Sequence, residues 1–131
     1  MFYFTLSSPL LLMAEDEQPT NGDVVDYKYF SLDPDIVTNY DKSGRRLGYI
    51  RLSIELLTNS AANFKIVEKN APLIRDRIIT IMGEQSEKEI KSITERDIIR
   101  MRCLLEVNEV ISVVTGVRPV QDLHFTTFLY Q

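Results

Sequence analysis

Leu47-Gly48-Tyr49-Ile50-Arg51-Leu52-Ser53-Ile54-Glu55-Leu56-Leu57 is the stretch whose reading decides the fold. Ile50, Leu52, Ile54 and Leu56 alternate with Tyr49, Arg51, Ser53 and Glu55. A period of two belongs to a strand, so the first set faces a core and the second faces water or a neighbouring subunit. Asp41-Lys42-Ser43-Gly44 before it has the chemistry of a turn, and Ile36-Val37-Thr38-Asn39 on the far side makes the pair a hairpin. Further upstream, Tyr27-Lys28-Tyr29-Phe30-Ser31-Leu32 is a short aromatic strand. It stops at Asp33-Pro34, because Pro34 fixes its own φ and drives Asp33 extended.

Downstream of the hairpin the period changes. Asn59 or Ser60 caps a helix through about Lys69, with Ala62, Ile66 and Val67 inward. Asn70-Ala71-Pro72 opens a second helix, since proline is tolerated in a first turn. Ile74, Ile78, Ile81 and Met82 form its stripe, and Gly83 ends it. Ser86 starts a short polar helix or turn through Ile93. Thr94-Glu95-Arg96-Asp97 has the form of a capping box, with Asp97 where Glu is commoner. It predicts the longest helix, with Ile98, Met101, Leu104, Leu105, Ile111 and Val114 as its apolar face and Gly116 as its stop. Val120–Tyr130 predicts a last strand, with Leu123, Phe125, Thr127 and Leu129 on one side and Asp122, His124, Thr126 and Phe128 on the other. The order β-β-α-α-α-β predicts a two-layer α+β fold, a small antiparallel-rich sheet packed with about three helices.

The remaining sequence lies before residue 27. Met1–Ala14 contains no charged residue. It is shorter than the ~20 residues of a membrane-spanning helix and matches the apolar core of a signal peptide, without the basic region that ordinarily precedes one. The expectation is a signal-peptide-like head or a truncated membrane segment; a buried structural segment is the alternative. Glu15–Asp26 carries five acids and no base, which reads as a solvated acidic linker. That leaves 15 bases and 14 acids for a domain spanning residues 27–131, so the net charge of −4 belongs mainly to the linker. A nearly neutral domain gives no sign of a nucleic-acid partner. The full 131 residues, 44% hydrophobic and 26% charged, suit one globular domain.

Little in the sequence carries chemistry. One Cys and one His exclude a disulfide framework and a Cys/His zinc cluster. Cys103 has no partner in sequence that would make it a nucleophile; it reads as a packing residue, or as a site of intermolecular oxidation in an exported chain. His124 reads as a surface or edge residue. Asp33 and Asp35 flank a proline, where turn stabilisation is the plain role for a carboxylate. No glycine-rich phosphate loop, H-E-x-x-H or G-x-S-x-G occurs. Neither an enzyme nor a cofactor is expected. Two charged features remain: Arg45-Arg46 at the hairpin tip, and Arg75-Asp76-Arg77 at the start of the second helix. Each is either a solvated face or part of a subunit or partner interface, where arginine is favoured.

Three segments in order carry a resemblance. Tyr29-Phe30-Ser31-Leu32-Asp33-Pro34-Asp35, Asn70-Ala71-Pro72-Leu73-Ile74-Arg75-Asp76-Arg77-Ile78, and Val120-Gln121-Asp122-Leu123-His124-Phe125-Thr126-Thr127-Phe128 with terminal Gln131 resemble the flagellar basal-body-associated FliL family. The resemblance covers nearly the whole domain from Phe30. It marks Phe30, Leu32, Asp33, Pro34, Pro72, Ile74, Phe125 and Phe128 as structural motif positions. It implies a non-catalytic periplasmic domain with a stomatin-like core, associated with the inner membrane or the basal body. It also implies a homo-oligomeric ring that braces the flagellar stator units and supports torque. Family members usually carry a full membrane-spanning helix before the acidic linker. The shorter uncharged run here implies a truncated start or an exported paralogue. The competing expectation is a secreted or periplasmic module that holds a small ligand or peptide in the same fold.

Overall fold

The computed structural model describes residues 25–44 and 46–131. The Met1–Ala14 head, all but the last two residues of the acidic linker, and Arg45 lie outside the described residues. The elements run β1 (Lys28–Ser31), β2 (Ile36–Lys42), β3 (Arg46–Thr58), α1 (Ala61–Lys69), α2 (Ala71–Gly83), α3 (Glu87–Lys91), α4 (Ile93–Thr115) and β4 (Asp122–Tyr130). The fold is α+β, as the alternation and the helical stripes predict. Three strands and four helices precede β4, where the expected order β-β-α-α-α-β has two and three.

β3 is the centre of the sheet and pairs antiparallel with every other strand. β2 lies along its first half, Ile36 opposite Leu52 and Lys42 opposite Arg46. β1 lies along its second half, Lys28 opposite Thr58 and Ser31 opposite Glu55. β4 pairs with Ile50–Leu57 of β3 in the same region, so it must occupy the other edge. β1 and β2 are therefore two pieces of one edge, interrupted at the cis Asp33-Pro34 peptide. Leu32 N–H donates to the Ile54 carbonyl at 3.0 Å and carries the ladder into the break.

One face of the sheet is dry. Ile50, Leu52, Ile54 and Leu56 are buried there under α2, which lies against β2, and α4, which lies against β4. Ile74, Ile78, Ile81 and Met82 form the buried stripe of α2, as the spacing predicts. The opposite sheet face is open, with Val37, Tyr49 and Leu129 each more than half exposed.

Four further details differ from the sequence expectations. In α1 Ala62 is exposed, while Val67 is buried and Phe64 meets Phe30 edge-on at 5.6 Å between centroids. α4 begins earlier than the Thr94 box: Ser92 is the cap, its Oγ accepting from Glu95 N–H at 3.2 Å. The buried row of α4 is Ile99, Cys103, Val107 and Ile111, with Leu104 partly covered. Ile98, Met101, Leu105 and Val114 are exposed instead. Steps of four place the buried residues along one ridge that crosses the sheet, and a helix apolar on several sides does not reveal which ridge is used.

The last difference lies in β4. Ser53 pairs with Thr127 but Ile54 pairs with Phe125, so Thr126 is an extra residue in a β-bulge. The bulge shifts the phase of every side chain after it. Phe125 and Phe128 therefore both pack on the core, 5.4 Å apart and edge to face, and Leu129 turns to the open face.

Candidate interaction surfaces

The break in the sheet edge leaves the carbonyls of Pro34 and Asp35 outside the ladder. Arg75, on the first turns of α2, donates Nη1–H to Pro34 O at 2.5 Å and Nη2–H to Asp35 O at 3.5 Å. The Asp35 carboxylate accepts from Ser53 Oγ at 2.8 Å and from Arg51 Nε at 2.9 Å. These bonds, Ser53 first, hold it below the ordinary carboxylate range. Asp35 is thus a turn stabiliser, acting through β3 side chains, and Asp33 stays exposed. Arg75→Met should lower stability by about 1–2 kcal/mol, because a charged donor to two carbonyls is lost. Urea unfolding measures this, and an unchanged midpoint contradicts the latch. Since the carboxylate of Asp35 is depressed, its contribution is present above its unfolded pKa and fades only as pH falls through the lowered folded one.

Arg77 faces α4 and pairs with Glu106 at 3.4 Å. Glu106 also accepts from Arg102 Nε at 2.6 Å, and Arg102 reaches Glu84 beyond the end of α2. The ladder Arg77–Glu106–Arg102–Glu84 ties the two long helices together. Asp76 between the two arginines is exposed, with its carbonyl accepting from Thr80 Oγ1 at 3.1 Å. Arg46 is exposed at the start of β3, opposite Lys42. Arg75 and Arg77 are thus engaged within the chain, and Asp76 and Arg46 face outward on different elements. The structure brings the first two motif segments together through Arg75. Leu32 and Ile74 are buried near that joint, and Pro72 sits exposed in the first turn of α2.

The third motif segment meets α4. Arg100 donates to Asp97 at 2.9 Å, to Asp122 at 2.8 Å and to the Leu123 carbonyl at 3.1 Å. These partners, Asp97 first, raise its pKa further. One turn earlier, the Arg96 guanidinium lies 4.2 Å over the Phe128 ring, and its Nε is buried with no hydrogen-bond partner among the described residues. Ile93, Arg96, Asp97, Arg100, His124 and Phe125 line a groove of about 290 Å³ there. Arg96 and Arg100 carry only a spacing of four as a sequence signal, which does not distinguish them from any solvated helix pair. His124 is half-buried on edge strand β4, as the alternation predicts, with its ring 5.9 Å from Tyr29.

Cys103 is buried between the layers, and desolvation pushes its thiol pKa up to about 12. The neighbouring Arg102 does not activate it. Its alkylation by iodoacetamide at pH 8 should be at least about a hundredfold slower than that of the urea-unfolded chain, since only the thiolate reacts. Comparable rates would overturn the packing role. The raised pKa also makes the folded state lose stability as pH climbs from about 9 towards 12, where the unfolded thiol ionises first.

Two apolar surfaces have no cover within the described chain. Val37, Tyr49 and Leu129, with Arg51, line a groove of about 380 Å³ on the open sheet face. Ile98, Met101 and Leu105 form a row on the outer side of α4. Among the described residues no group of three or more His, Cys, Asp or Glu is placed to hold a metal ion, and no helix is long and apolar enough to cross a membrane.

Taken together, these features define a one-sided α+β sheet domain with Asp35, Arg75, Arg77 and Asp122 engaged in internal joints. The sequence pattern of the flagellar basal body-associated protein FliL matches residues 29–131, and the chain belongs to that family. The flagellar protein FliL of Aquifex aeolicus (strain VF5) is 31% identical over 102 residues, which cover 78% of this chain and 60% of that relative. The match therefore spans about 60% of the relative's length.

Proposed function

We propose that this chain is a non-enzymatic structural component of the flagellar basal body, working by contact on the periplasmic side of the inner membrane. In this reading copies of the domain form a ring around the stator units and brace them under load. Met1–Ala14 serves as the export or membrane segment, and the acidic stretch after it as a spacer. The observation that carries the proposal is the family match across residues 29–131. The uncovered surfaces support it. Soluble monomers seldom leave contiguous apolar patches without a partner, and here both Val37–Tyr49–Leu129 and Ile98–Met101–Leu105 are open. Asp76 and Arg46, the outward-facing charged candidates, are positions for the rim of such contacts.

Purified hook–basal bodies from cells carrying an epitope-tagged chain test the placement. The tagged chain should sediment with them and be lost from fractions of a strain lacking stator units. Recovery only in the free periplasmic or culture fractions would leave the ligand- or peptide-holding module as the better reading.

A further inference from the structure

We propose that the outer edge of β4, together with the Arg96 groove, accepts an extended acidic segment of a partner protein by strand addition. The inference rests on the geometry of the domain and does not depend on a role in the motor. Gln131 and Tyr49 exchange both backbone hydrogen bonds, at 3.0 and 2.9 Å. In an antiparallel ladder such pairs alternate with pairs whose N–H and C=O groups turn away from each other. Counting back along β4, Tyr130 opposite Ile50 and Phe128 opposite Leu52 turn their backbone groups outward. Past the bulge, Ile54 gives its carbonyl to Leu32 on the far edge, so Phe125 opposite Ile54 also points outward.

Leu123 shares that orientation but is already satisfied. Its N–H bonds Asp122 Oδ1 at 2.8 Å and its carbonyl takes Arg100. Phe125, Phe128 and Tyr130 find no backbone partner among the described residues. The two edges of the sheet are unlike. The β1–β2 edge is broken at Pro34, carries Lys28 and Lys42, and is occupied at Asp41, whose N–H bonds Gln85 O at 3.1 Å. Breaks, prolines and lysines are the usual guards of an edge, and β4 has only its bulge.

The ligand's charge follows from Arg96. Alternate side chains of an added strand would fall on the helix side of the sheet, beside Phe125 and Phe128. The nearby carboxylates of Asp97 and Asp122 are both taken by Arg100. Among the described residues Arg96 thus has an aromatic face but no counter-ion, and its buried Nε has no acceptor. A Glu or Asp on the incoming strand supplies that counter-ion. A second copy pairing β4 to β4 would bring Phe, Thr and Tyr side chains, and no free carboxylate, to this point. Asp26 is tied to the β1 side of the sheet, where its N–H bonds Asn59 O at 2.9 Å.

Amide hydrogen exchange on the full chain decides the matter, with acetyl-Thr-Val-Glu-Val-Thr-Val-amide as the probe. The amides of Phe125, Phe128 and Tyr130 should exchange freely in the dilute chain and gain at least about tenfold protection when the peptide is added. The same peptide with Gln for Glu should bind about tenfold more weakly, the effect of one lost charge-assisted bond. Arg96→Gln should abolish that difference and Arg96→Lys should keep part of it, with both spectra otherwise native. Equal binding of the two peptides overturns the proposal. So does protection of these amides before any peptide is added, which would mean that the chain or a second copy already covers the edge. Displacement by sodium acetate without peptide-induced protection would reduce the groove to a carboxylate site and also overturn it.

Discussion

Gly48→Ala should cost about 3 kcal/mol of folding free energy, at the upper end of what overpacking a core does. Gly48 lies in central strand β3, directly opposite Tyr40 of β2, and the Tyr40 ring lies over the glycine. An added Cβ would overlap ring atoms Cζ, Cε1 and Cε2. The ring has nowhere to go, being only 1% exposed with its hydroxyl donating to the Gln131 carbonyl at 3.2 Å. At an ordinary strand position the same substitution would be neutral or favourable, since alanine restricts the unfolded chain more than glycine does. A double-mutant cycle isolates the contact. Tyr40→Ala alone should cost about 3–4 kcal/mol, and adding Gly48→Ala to it should cost almost nothing more. Additive losses in urea unfolding would show that the ring does not exclude the methyl group.

Asn108→Ala should lose about 2–3 kcal/mol, from a residue on the other side of the core. Its Nδ2–H donates to the Val120 carbonyl at 2.8 Å and its Oδ1 accepts from Val120 N–H at 2.9 Å. Val120 is buried where the chain turns from α4 into β4, so truncation strands two backbone groups away from water. Each stranded group costs about 1–3 kcal/mol, reduced where water enters. Asn108→Asp keeps the acceptor but sets a carboxylate oxygen against the Val120 carbonyl, and should lose at least as much as the alanine variant. If the alanine variant unfolds at the wild-type urea concentration, the side chain does not hold the entry to β4.

Neither residue announces itself in the sequence. Gly48 precedes an alternating run in which it reads as a strand residue like the others, because the need for glycine comes from a ring in another strand. Asn108 sits in mid-helix, where asparagine is ordinarily a mild penalty, and its role depends on a loop that arrives from Pro119. By contrast the β3 alternation, the α2 stripe, the Ser60 cap and the Gly116 stop are all local patterns. Each appears in the fold as read, with Gly116 in the left-handed region at φ 77°.

The misreadings of β4 and of the α4 face have a common cause in neighbours far along the chain. The Ser92 cap of α4, by contrast, is a local pattern that the Thr94 box obscures. β4 reads as strict alternation until a bulge opposite Ser53 and Ile54 puts Phe125 and Phe128 on one face. α4 offers several apolar rows, and the sheet beneath chooses Ile99, Cys103, Val107 and Ile111. The interaction candidates follow the same rule. Arg75 and Arg77 look like surface charge in sequence, but their acceptors are 41 and 29 positions away, at Pro34 and Glu106. Arg96 is the reverse case: a solvated-looking residue whose Nε is buried near an aromatic ring and unpaired among the described residues.

The motor role itself is tested most directly by the torque of single flagellar motors under high load, read from the rotation of a tethered bead. A strain lacking this chain should keep near-normal speed with small beads and lose torque with large ones, and plasmid-borne wild-type chain should restore it. Torque at high load equal to that of the parent strain, with the chain absent, would contradict a stator-bracing function.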